Sequence, residues 1–281
     1  MAVASRAGPS DLTGRVPELR GLSERGVALF GLGALGAPAA LEFARAGVGD
    51  LRVVDSDIVE AGNTVRWPLG MTAVGYFKAE AVLGFVSSNY PYTNVTGHGM
   101  RVGAPRLPTD DHQPSQLEML NTILEGIDLV FDATAEPGVW HVLSDLARER
   151  EVPYVHVWAT PGAWGGAVAR VLPDRSGCWV CIEHHYQDGT FAAPHSDPVG
   201  ETQPAGCADP TFTGANFDLQ FLSLLAVRTA VSTLSRGTSG AYPDTPWDVA
   251  VINLREPDGT PTVEVHKYQL DPHPACRQCG S

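Results

Sequence analysis

The stretch Gly31-Leu32-Gly33-Ala34-Leu35-Gly36 decides the fold of this chain. An apolar run from Val27 to Phe30 precedes it, and an amphipathic segment from Ala39 to Ala46 follows it. Apolar run, glycine turn and amphipathic segment predict the order strand, turn, helix. In this order the turn lies at the N-terminus of the helix, where backbone N–H groups favour an anion.

Each glycine has a separate expected role in that turn. Gly31 allows the tight turn, Gly33 lets a phosphate approach the backbone, and Gly36 lets helix and strand pack closely. Asp55 ends a second apolar run, Leu51 to Val54, where its carboxylate can accept hydrogen bonds from a ribose. These residues predict an adenine nucleotide site, and the alternative is a glycine turn without a ligand.

The segment after Asp55 distinguishes between nucleotides. Asn63 and Arg66 are three residues apart, so on one helical turn they share a face, which Pro68 would close. Lys78 follows, early in a helix that the pattern predicts from Thr72 to Ser88. A dinucleotide-dependent dehydrogenase has no evident use for these side chains, whereas an arginine and a lysine near a triphosphate supply charge for attack at the α-phosphate.

Four motifs in this order resemble the ThiF/MoeB/HesA superfamily, which includes the ubiquitin-activating enzymes. They are GxGxxG, then D-x-D-x-V from Asp55, N-x-x-R from Asn63, and V-G-x-x-K-A-E around Lys78. The resemblance covers most of the chain and implies that Asn, Arg and Lys contact the phosphates of ATP, with Arg66 and Lys78 also catalytic. The cofactor-binding candidates are Gly31, Gly33, Gly36, Asp55, Asp57, Asn63, Arg66, Lys78 and Asp132.

One motif departs from the family pattern. The family usually has D-x-T-D-N after its fourth strand, and the second Asp is placed for Mg²⁺ and catalysis. Here the sequence is Asp132-Ala-Thr134-Ala135-Glu136. Either Glu136 or Asp132 substitutes for the missing acid, or catalysis is impaired; Asp132 as a turn-forming acid is the other interpretation.

Four of the five cysteines form two C-x-x-C pairs. Two such turns can supply four thiolates to a tetrahedral structural Zn²⁺ site, with Cys178, Cys181, Cys276 and Cys279 as ligands. Disulfides are disfavoured in a chain expected to be cytoplasmic. A redox role is also disfavoured, because the first pair is not expected to open a helix and a second pair exists. His184 and His185 are expected to be surface histidines.

The fifth cysteine, Cys207, lies in a predicted irregular loop, residues 186–210. In ubiquitin-activating enzymes and ThiF-like sulfurtransferases, a cysteine after the first zinc pair attacks the acyl-adenylate or its thiocarboxylate product. The resemblance therefore implies a nucleophilic Cys207, by its order in the chain. Nearby Asp209 disfavours a thiolate, and a free cysteine without a role is the alternative.

Length and composition predict one α/β domain of 281 residues, with a Rossmann-like, largely parallel sheet continued by mixed or antiparallel strands. Its expected parts are an N-terminal arm (1–25), a nucleotide-binding half (26–160) and a zinc and carrier-binding half (161–281). No apolar run reaches about eighteen residues and no signal peptide is visible, so we expect a cytoplasmic protein outside membranes. The net charge of -13 argues against nucleic acid and leaves a basic protein partner open.

The expected function is ATP-dependent adenylation of the C-terminal carboxylate of a ubiquitin-like or sulfur-carrier protein that ends in Gly, followed by thioester transfer to a cysteine. The resemblance also implies a conjugating enzyme or sulfurtransferase as partner, and a homodimer in which an N-terminal arginine reaches the partner's ATP. Arg15 and Arg20 are the candidates, and for each the alternative is an ordinary surface arginine. Two alternatives remain: an NAD-dependent oxidoreductase, and a non-catalytic partner subunit, which the missing acid at Ala135 would suit.

Overall fold

The fold is taken from a computed structural model that describes residues 8, 11, 13–104, 114–203 and 211–279. Ten strands are assigned in these ranges: β1 (Gly26–Phe30), β2 (Asp50–Val54), β3 (Asn94–His98), β4 (Leu129–Asp132), β5 (Tyr154–Ala159), β6 (Gly165–Val171), β7 (Glu201–Thr202), β8 (Thr211–Phe212), β9 (Val249–Arg255) and β10 (Pro261–Tyr268). The α-helices are α1 (Gly36–Ala46), α2 (Lys78–Asn89), α3 (Gln116–Leu124), α4 (Pro137–Glu149), α5 (Trp179–Gln187) and α6 (Asn216–Leu234).

Eight of the strands form one mixed sheet in the order β10-β9-β6-β5-β4-β1-β2-β3. The neighbours from β3 to β5 pair in parallel, and the neighbours from β5 to β10 pair antiparallel. The prediction of a largely parallel sheet with an antiparallel continuation is confirmed. Strands β7 and β8 form a separate two-stranded hairpin.

Helices cover both faces of the sheet, as the alternation of strand and helix requires. Alternate residues of β1 enter two apolar clusters: Val27 and Leu29 in one, Ala28 and Phe30 in the other. The first cluster includes α1, α2 and α6, and the second includes α3, α4 and α5. The carboxyl ends of the parallel strands lie at one edge of the sheet, where such sheets bind ligands.

Helix α6 is long and apolar enough to cross a membrane by length and composition alone. In the fold, 61% of that apolar stretch is buried within the protein. The Ser223 hydroxyl on this helix donates to the Leu35 carbonyl oxygen at 2.7 Å, which links α6 to the glycine turn. The helix is thus part of the core that supports the turn.

The predicted helix from Thr72 to Ser88 begins later than expected, at Lys78. A short 3₁₀ helix, Gly70–Ala73, precedes it. Gly75 separates the two with a φ of 91°, a left-handed conformation that no right-handed helix contains. Lys78 consequently occupies the first position of α2, at the edge of the sheet where the glycine turn lies.

Candidate nucleotide site

The glycine turn joins β1 to α1 and is fixed by Asp55. The Leu32 N–H donates to Asp55 Oδ2 at 2.6 Å, and the Asp57 N–H donates to Asp55 Oδ1 at 2.8 Å. Burial raises the pKa of Asp55 above its usual range, while Lys78 and the two N–H donors oppose that rise. Asp55 therefore connects the end of β2 to the turn after β1. Each of its carboxylate oxygens has a second lone pair that can accept a hydrogen bond from a ribose hydroxyl.

Two glycines of the motif are required by packing, and the third is not. A Cβ on Gly36 would lie 1.7 Å from the Gly31 carbonyl oxygen, and one on Gly31 would lie 2.8 Å from the Ala133 carbonyl. Gly31 also has a φ of 83°. A Cβ on Gly33 meets no heavy atom within 4 Å. The space beside the Gly33 backbone is therefore open to a ligand.

The difference between Gly36 and Gly33 allows effects on folding and on ATP binding to be measured separately. We expect Gly36→Ala to destabilise the protein by about 3 kcal/mol, because its methyl group overlaps backbone. Gly33→Ala should unfold at the wild-type temperature but bind ATP about tenfold more weakly, since its methyl group would stand where a phosphate approaches. Thermal unfolding and ATP titration of both variants test this. Equal loss of stability in the two variants would contradict it.

A cleft at this edge of the sheet has two adjoining compartments that share Gly33, Asp57 and Lys78. The first compartment extends over Asp55 toward α4. The second extends toward the 3₁₀ helix Ala61–Val65 and β8. Side chains of the second compartment include Asn63, Arg66, Trp67, Trp140, Trp158 and Phe212. The sequence candidates on both sides of Asp57 thus line one continuous cleft.

Lys78 is held at the centre of this cleft by Asp57. Its Nζ lies 2.7 Å from Asp57 Oδ2, and its backbone N–H donates to the Asp57 carbonyl oxygen at 2.8 Å. Lys78 and Lys267 are the two lysines of the chain. The cleft therefore has one ammonium group, positioned where the two compartments meet.

Arg66 and Asn63 face the second compartment but have protein partners. The Arg66 guanidinium donates to the Phe212 carbonyl oxygen at 2.6 Å and lies 5.4 Å from the centre of its ring. Burial lowers the pKa of Arg66. Asn63 Oδ1 accepts the Glu60 N–H at 2.9 Å and closes the 3₁₀ turn. Both residues line this side of the cleft, although Asn63 lies inside the 3₁₀ helix and Arg66 is its non-helical C-cap, so they do not share one helical turn as expected.

Asp132 does not line the cleft. Its side chain is fully buried. Oδ2 accepts the Tyr154 hydroxyl at 2.6 Å, and Oδ1 accepts the Thr134 N–H and hydroxyl at 2.8 Å each. In this geometry both carboxylate oxygens of Asp132 have protein partners, and a contact with the cofactor stays a prediction. Glu136 does line the first compartment, together with Asp55 and Asp57, and it pairs with Arg101 at 2.7 Å.

The four paired cysteines lie together, with ligand atoms within 4.8 Å of one another. Cys178 Sγ is 3.9 Å from Cys181 Sγ and 3.5 Å from Cys276 Sγ, and none of the four is in a disulfide. Zn–S bonds of about 2.3 Å in a tetrahedron place sulfurs about 3.8 Å apart. The His273 N–H donates to Cys181 Sγ at 3.2 Å. The arrangement fits a four-sulfur zinc site.

Three expectations around this cluster are wrong. The first C-x-x-C pair does open a helix, since Cys178 is the N-cap of α5, which packs Trp179 and Ile182 into the core. Helix α5 continues to Gln187, into the segment expected to be irregular. His185 is 9% exposed, because its Nε2 lies 2.9 Å from the Asp271 carbonyl oxygen and its ring packs on Phe191.

Arg15 and Arg20 are exposed and lie on the 3₁₀ helices Thr13–Arg15 and Pro17–Glu24, and their action across a dimer stays a prediction. The stretch 204–210 is not described. Cys207 and Asp209 fall outside the described residues.

The sequence did not predict an aromatic cluster that lies beside the cleft. Trp140, Trp158, Trp179 and Tyr186 come from α4, β5 and α5, and the ring centres of neighbouring pairs are 5.6–6.5 Å apart. One signal in the sequence was available. Trp158 stands near the carboxyl end of β5, on the same edge of the sheet as the glycine turn.

Residues 11–235 match the family model described as ThiF family. The chain belongs to the ThiF family. The resemblance inferred from the motifs is confirmed, and the match includes the glycine turn, Asp55, Arg66, Lys78 and the first cysteine pair.

Individual relatives extend the comparison. The chain is 39% identical to the uncharacterized protein y4qC of Sinorhizobium fredii over 96% of its own length and 46% of that protein's. It is 33% identical to the SAMP-activating enzyme E1 of Haloferax volcanii over 59% of this chain and 56% of that enzyme. The chain thus spans about half the length of these relatives.

Among solved structures, the fold is similar to that of E. coli MccB with ATP. The TM-score is 0.67 at 16% identity, over 94% of this chain and 69% of MccB. At this level of identity the likeness concerns the fold.

Proposed function

We propose that this chain is a cytoplasmic, ATP-dependent adenylating enzyme that activates the C-terminal carboxylate of a ubiquitin-like or sulfur-carrier protein ending in Gly. The observation that carries the proposal is the convergence of Gly33, Lys78 and Arg66 on one cleft. A glycine turn at a helix N-terminus accepts phosphate, and a nearby ammonium and guanidinium favour the triphosphate over a dinucleotide.

The proposed reaction is attack of the carboxylate on the α-phosphate, which gives an acyl-adenylate and releases pyrophosphate. Lys78 stabilises the negative charge that develops on the phosphate oxygens, and Asp57 keeps its ammonium in position. Arg66 exchanges the neutral Phe212 carbonyl for phosphate oxygens, because a charged acceptor gives the stronger hydrogen bond. Asn63 positions the phosphates.

The comparisons support a carboxylate of a protein or peptide as the substrate. One relative is named a SAMP-activating enzyme, and another is an adenylyltransferase and sulfurtransferase, uba4. MccB has been solved with AMPCPP and MccA. For this chain we propose a carrier protein with a conjugating enzyme or sulfurtransferase downstream, and a homodimer as the working unit.

ATP–pyrophosphate exchange tests the proposal directly. Exchange should appear when ubiquitin-like proteins with a C-terminal Gly are added, and it should vanish when that carboxylate is amidated. Stabilisation by NAD and none by ATP with Mg²⁺ would indicate the oxidoreductase instead. Binding of ATP without exchange would indicate the non-catalytic subunit, for which Ala135 is the favouring observation.

Mg²⁺ is proposed to be held by Glu136 and Asp57, because both carboxylates line the first compartment and hard cations prefer oxygen ligands. A bound Mg²⁺ would neutralise charge on the phosphates. We expect Glu136→Gln to raise the Mg²⁺ concentration for half-maximal exchange about tenfold. The exposed Asp145 on α4 provides a matched control, Asp145→Asn, which should leave the Mg²⁺ titration unchanged. Identical titrations for both variants would remove Glu136 from the site.

Thioester transfer to Cys207 is proposed as the second step. Its thiolate would attack the acyl carbon of the adenylate, form the thioester and release AMP. Cys207→Ala should leave pyrophosphate exchange intact and remove a thiol-sensitive adduct with the carrier protein, detectable on non-reducing gels. An adduct that persists in this variant would assign the step to another residue.

A further inference from the structure

The aromatic cluster forms the wall of a pocket that adjoins the nucleotide cleft. Trp140 and Trp158 line both the second compartment and this pocket. The remaining walls of the pocket are Trp179, Ile182, Glu183, Tyr186, Gln187 and Pro194. The residues that precede a terminal carboxylate in the cleft can therefore reach this pocket.

The rings pack against one another, Trp140 and Trp158 at 30° and the other pairs edge to face, and Trp140, Trp158 and Tyr186 are only partly buried, so each leaves surface for an occupant of the pocket. Trp179 is inclined at 69° to Trp140 and 79° to Trp158, and Tyr186 at 73° to Trp158. Trp140 is fixed in place because its indole N–H donates to the Thr134 carbonyl oxygen at 2.9 Å. Aromatic faces arranged around a space attract a cation through the ring quadrupole.

The charge of the pocket agrees with a cationic occupant. Glu183 lines it, and no lysine or arginine does in the part of the chain that the structure describes. Glu183 Oε1 lies 3.0 Å from His141 Nε2, which leaves further lone pairs on the carboxylate. The chain as a whole carries a net charge of -13. Aromatic faces suit the methylene stem of a long basic side chain, and the carboxylate suits its charged end.

We propose that this pocket binds a lysine or arginine side chain in the C-terminal tail of the substrate, upstream of the carboxylate that is adenylated. The inference rests on the proposed adenylation and adds the substrate class: a carrier protein or peptide with a basic residue near its C-terminus. Trp158 and Trp140 then act as specificity residues shared by the cleft and the tail pocket.

Short peptides test this with the full chain. The probes are acetylated five-residue alanine peptides with a free C-terminal Gly, in which one lysine is moved through the four upstream positions. Matched peptides contain norleucine, which keeps the methylene stem and lacks the ammonium. Binding is measured by calorimetry and by tryptophan fluorescence, in which the pocket supplies three of the reporting rings.

At one position, lysine should bind about tenfold more tightly than norleucine. Glu183→Gln and Trp158→Leu should each reduce that preference to about twofold or less, while Trp158→Phe retains part of it. The control Glu149→Gln removes an exposed carboxylate elsewhere on α4 and should keep the full preference. Equal or tighter binding of norleucine at every position, or no binding of any lysine peptide in the millimolar range, would overturn the proposal.

A separate measurement distinguishes this proposal from the proposed function. ATP with Mg²⁺ is titrated against the wild-type protein, and pyrophosphate exchange is followed with each peptide. Exchange without a lysine preference would reject the cation pocket and retain adenylation. A lysine preference in a protein that does not bind ATP would retain the pocket and reject adenylation.

Discussion

Replacing Lys78 by alanine should lower the rate of ATP–pyrophosphate exchange by about three orders of magnitude, as measured with saturating carrier protein. The Lys78 ammonium is the one lysine charge in the cleft, and it lies 2.7 Å from Asp57 at the junction of the two compartments. Loss of a preorganised charge next to the α-phosphate removes an interaction that strengthens as the transition state forms.

The stability of that variant should remain close to wild type. Asp57 is 64% exposed in its ion pair with Lys78, so solvent screens the pair and its loss costs at most about 1 kcal/mol. Lys78 is also the first residue of α2, where the helix dipole disfavours a cation, so its removal relieves a small repulsion. In this variant the exchange rate should therefore fall while the unfolding temperature stays close to that of the wild type.

The other lysine is a matched control for Lys78→Ala. Lys267 is exposed on β10, outside the cleft. Lys267→Ala should leave both exchange and thermal unfolding unchanged. Lys78→Ala with wild-type exchange would take Lys78 out of the reaction, whereas a large drop in its unfolding temperature would make the loss of exchange a folding effect.

The sequence predicted most of the nucleotide half because that half depends on local patterns. The glycine spacing between β1 and α1 fixes a turn, and packing around Gly36 shows why that residue has no side chain. Asp55, Arg66 and Lys78 follow within one supersecondary unit. Their meeting in one cleft could be predicted because the carboxyl ends of parallel strands lie at the same edge of a sheet.

What the sequence did not predict depends on contacts across the chain. Asp132 ends β4 as the motif requires, but Tyr154 on β5 donates to its carboxylate and draws it into the sheet. A residue's position in a motif does not determine which way its side chain points. The aromatic pocket likewise combines β5 with α4 and α5, and no spacing in the sequence relates Trp140 to Trp179.

For the cysteines, the long-range contact was predicted correctly and the local structure was not. Spacing alone predicted that four sulfurs come together, and the structure confirms that they do. The local prediction that the first pair opens no helix was wrong, because apolar residues after Cys178 gain burial by forming α5. The meeting of the four sulfurs was easier to predict than the local secondary structure. A metal site requires a fixed number of ligands, but it allows either a helix or a loop after the first ligand.

Cys276→Ser should remove about one Zn²⁺ per chain and lower the unfolding temperature by about 10 °C, because binding energy at a structural zinc site contributes directly to folding. The site would connect the segment after β10 to the start of α5, across most of the second half of the chain. Without metal, burial raises the pKa of the Cys178 thiol. Burial alone would also raise the pKa of Cys276, but hydrogen bonds from the Gln278 backbone and the neighbouring cysteines lower it to about 7. Loss of Zn²⁺ would therefore leave the four sulfurs unequal and without the bonds that the metal provides.

Elemental analysis and thermal unfolding test this, with chelator-treated wild type as an independent route to the same state. The fifth cysteine supplies the control: Cys207→Ser should keep the metal and the unfolding temperature, because Cys207 belongs to neither C-x-x-C pair. Exchange should persist in freshly prepared Cys276→Ser at low temperature, since none of the four cysteines lines the cleft. Wild-type protein that contains no zinc, and that keeps its stability after chelation, would refute the metal site and leave the four thiols as ordinary core residues.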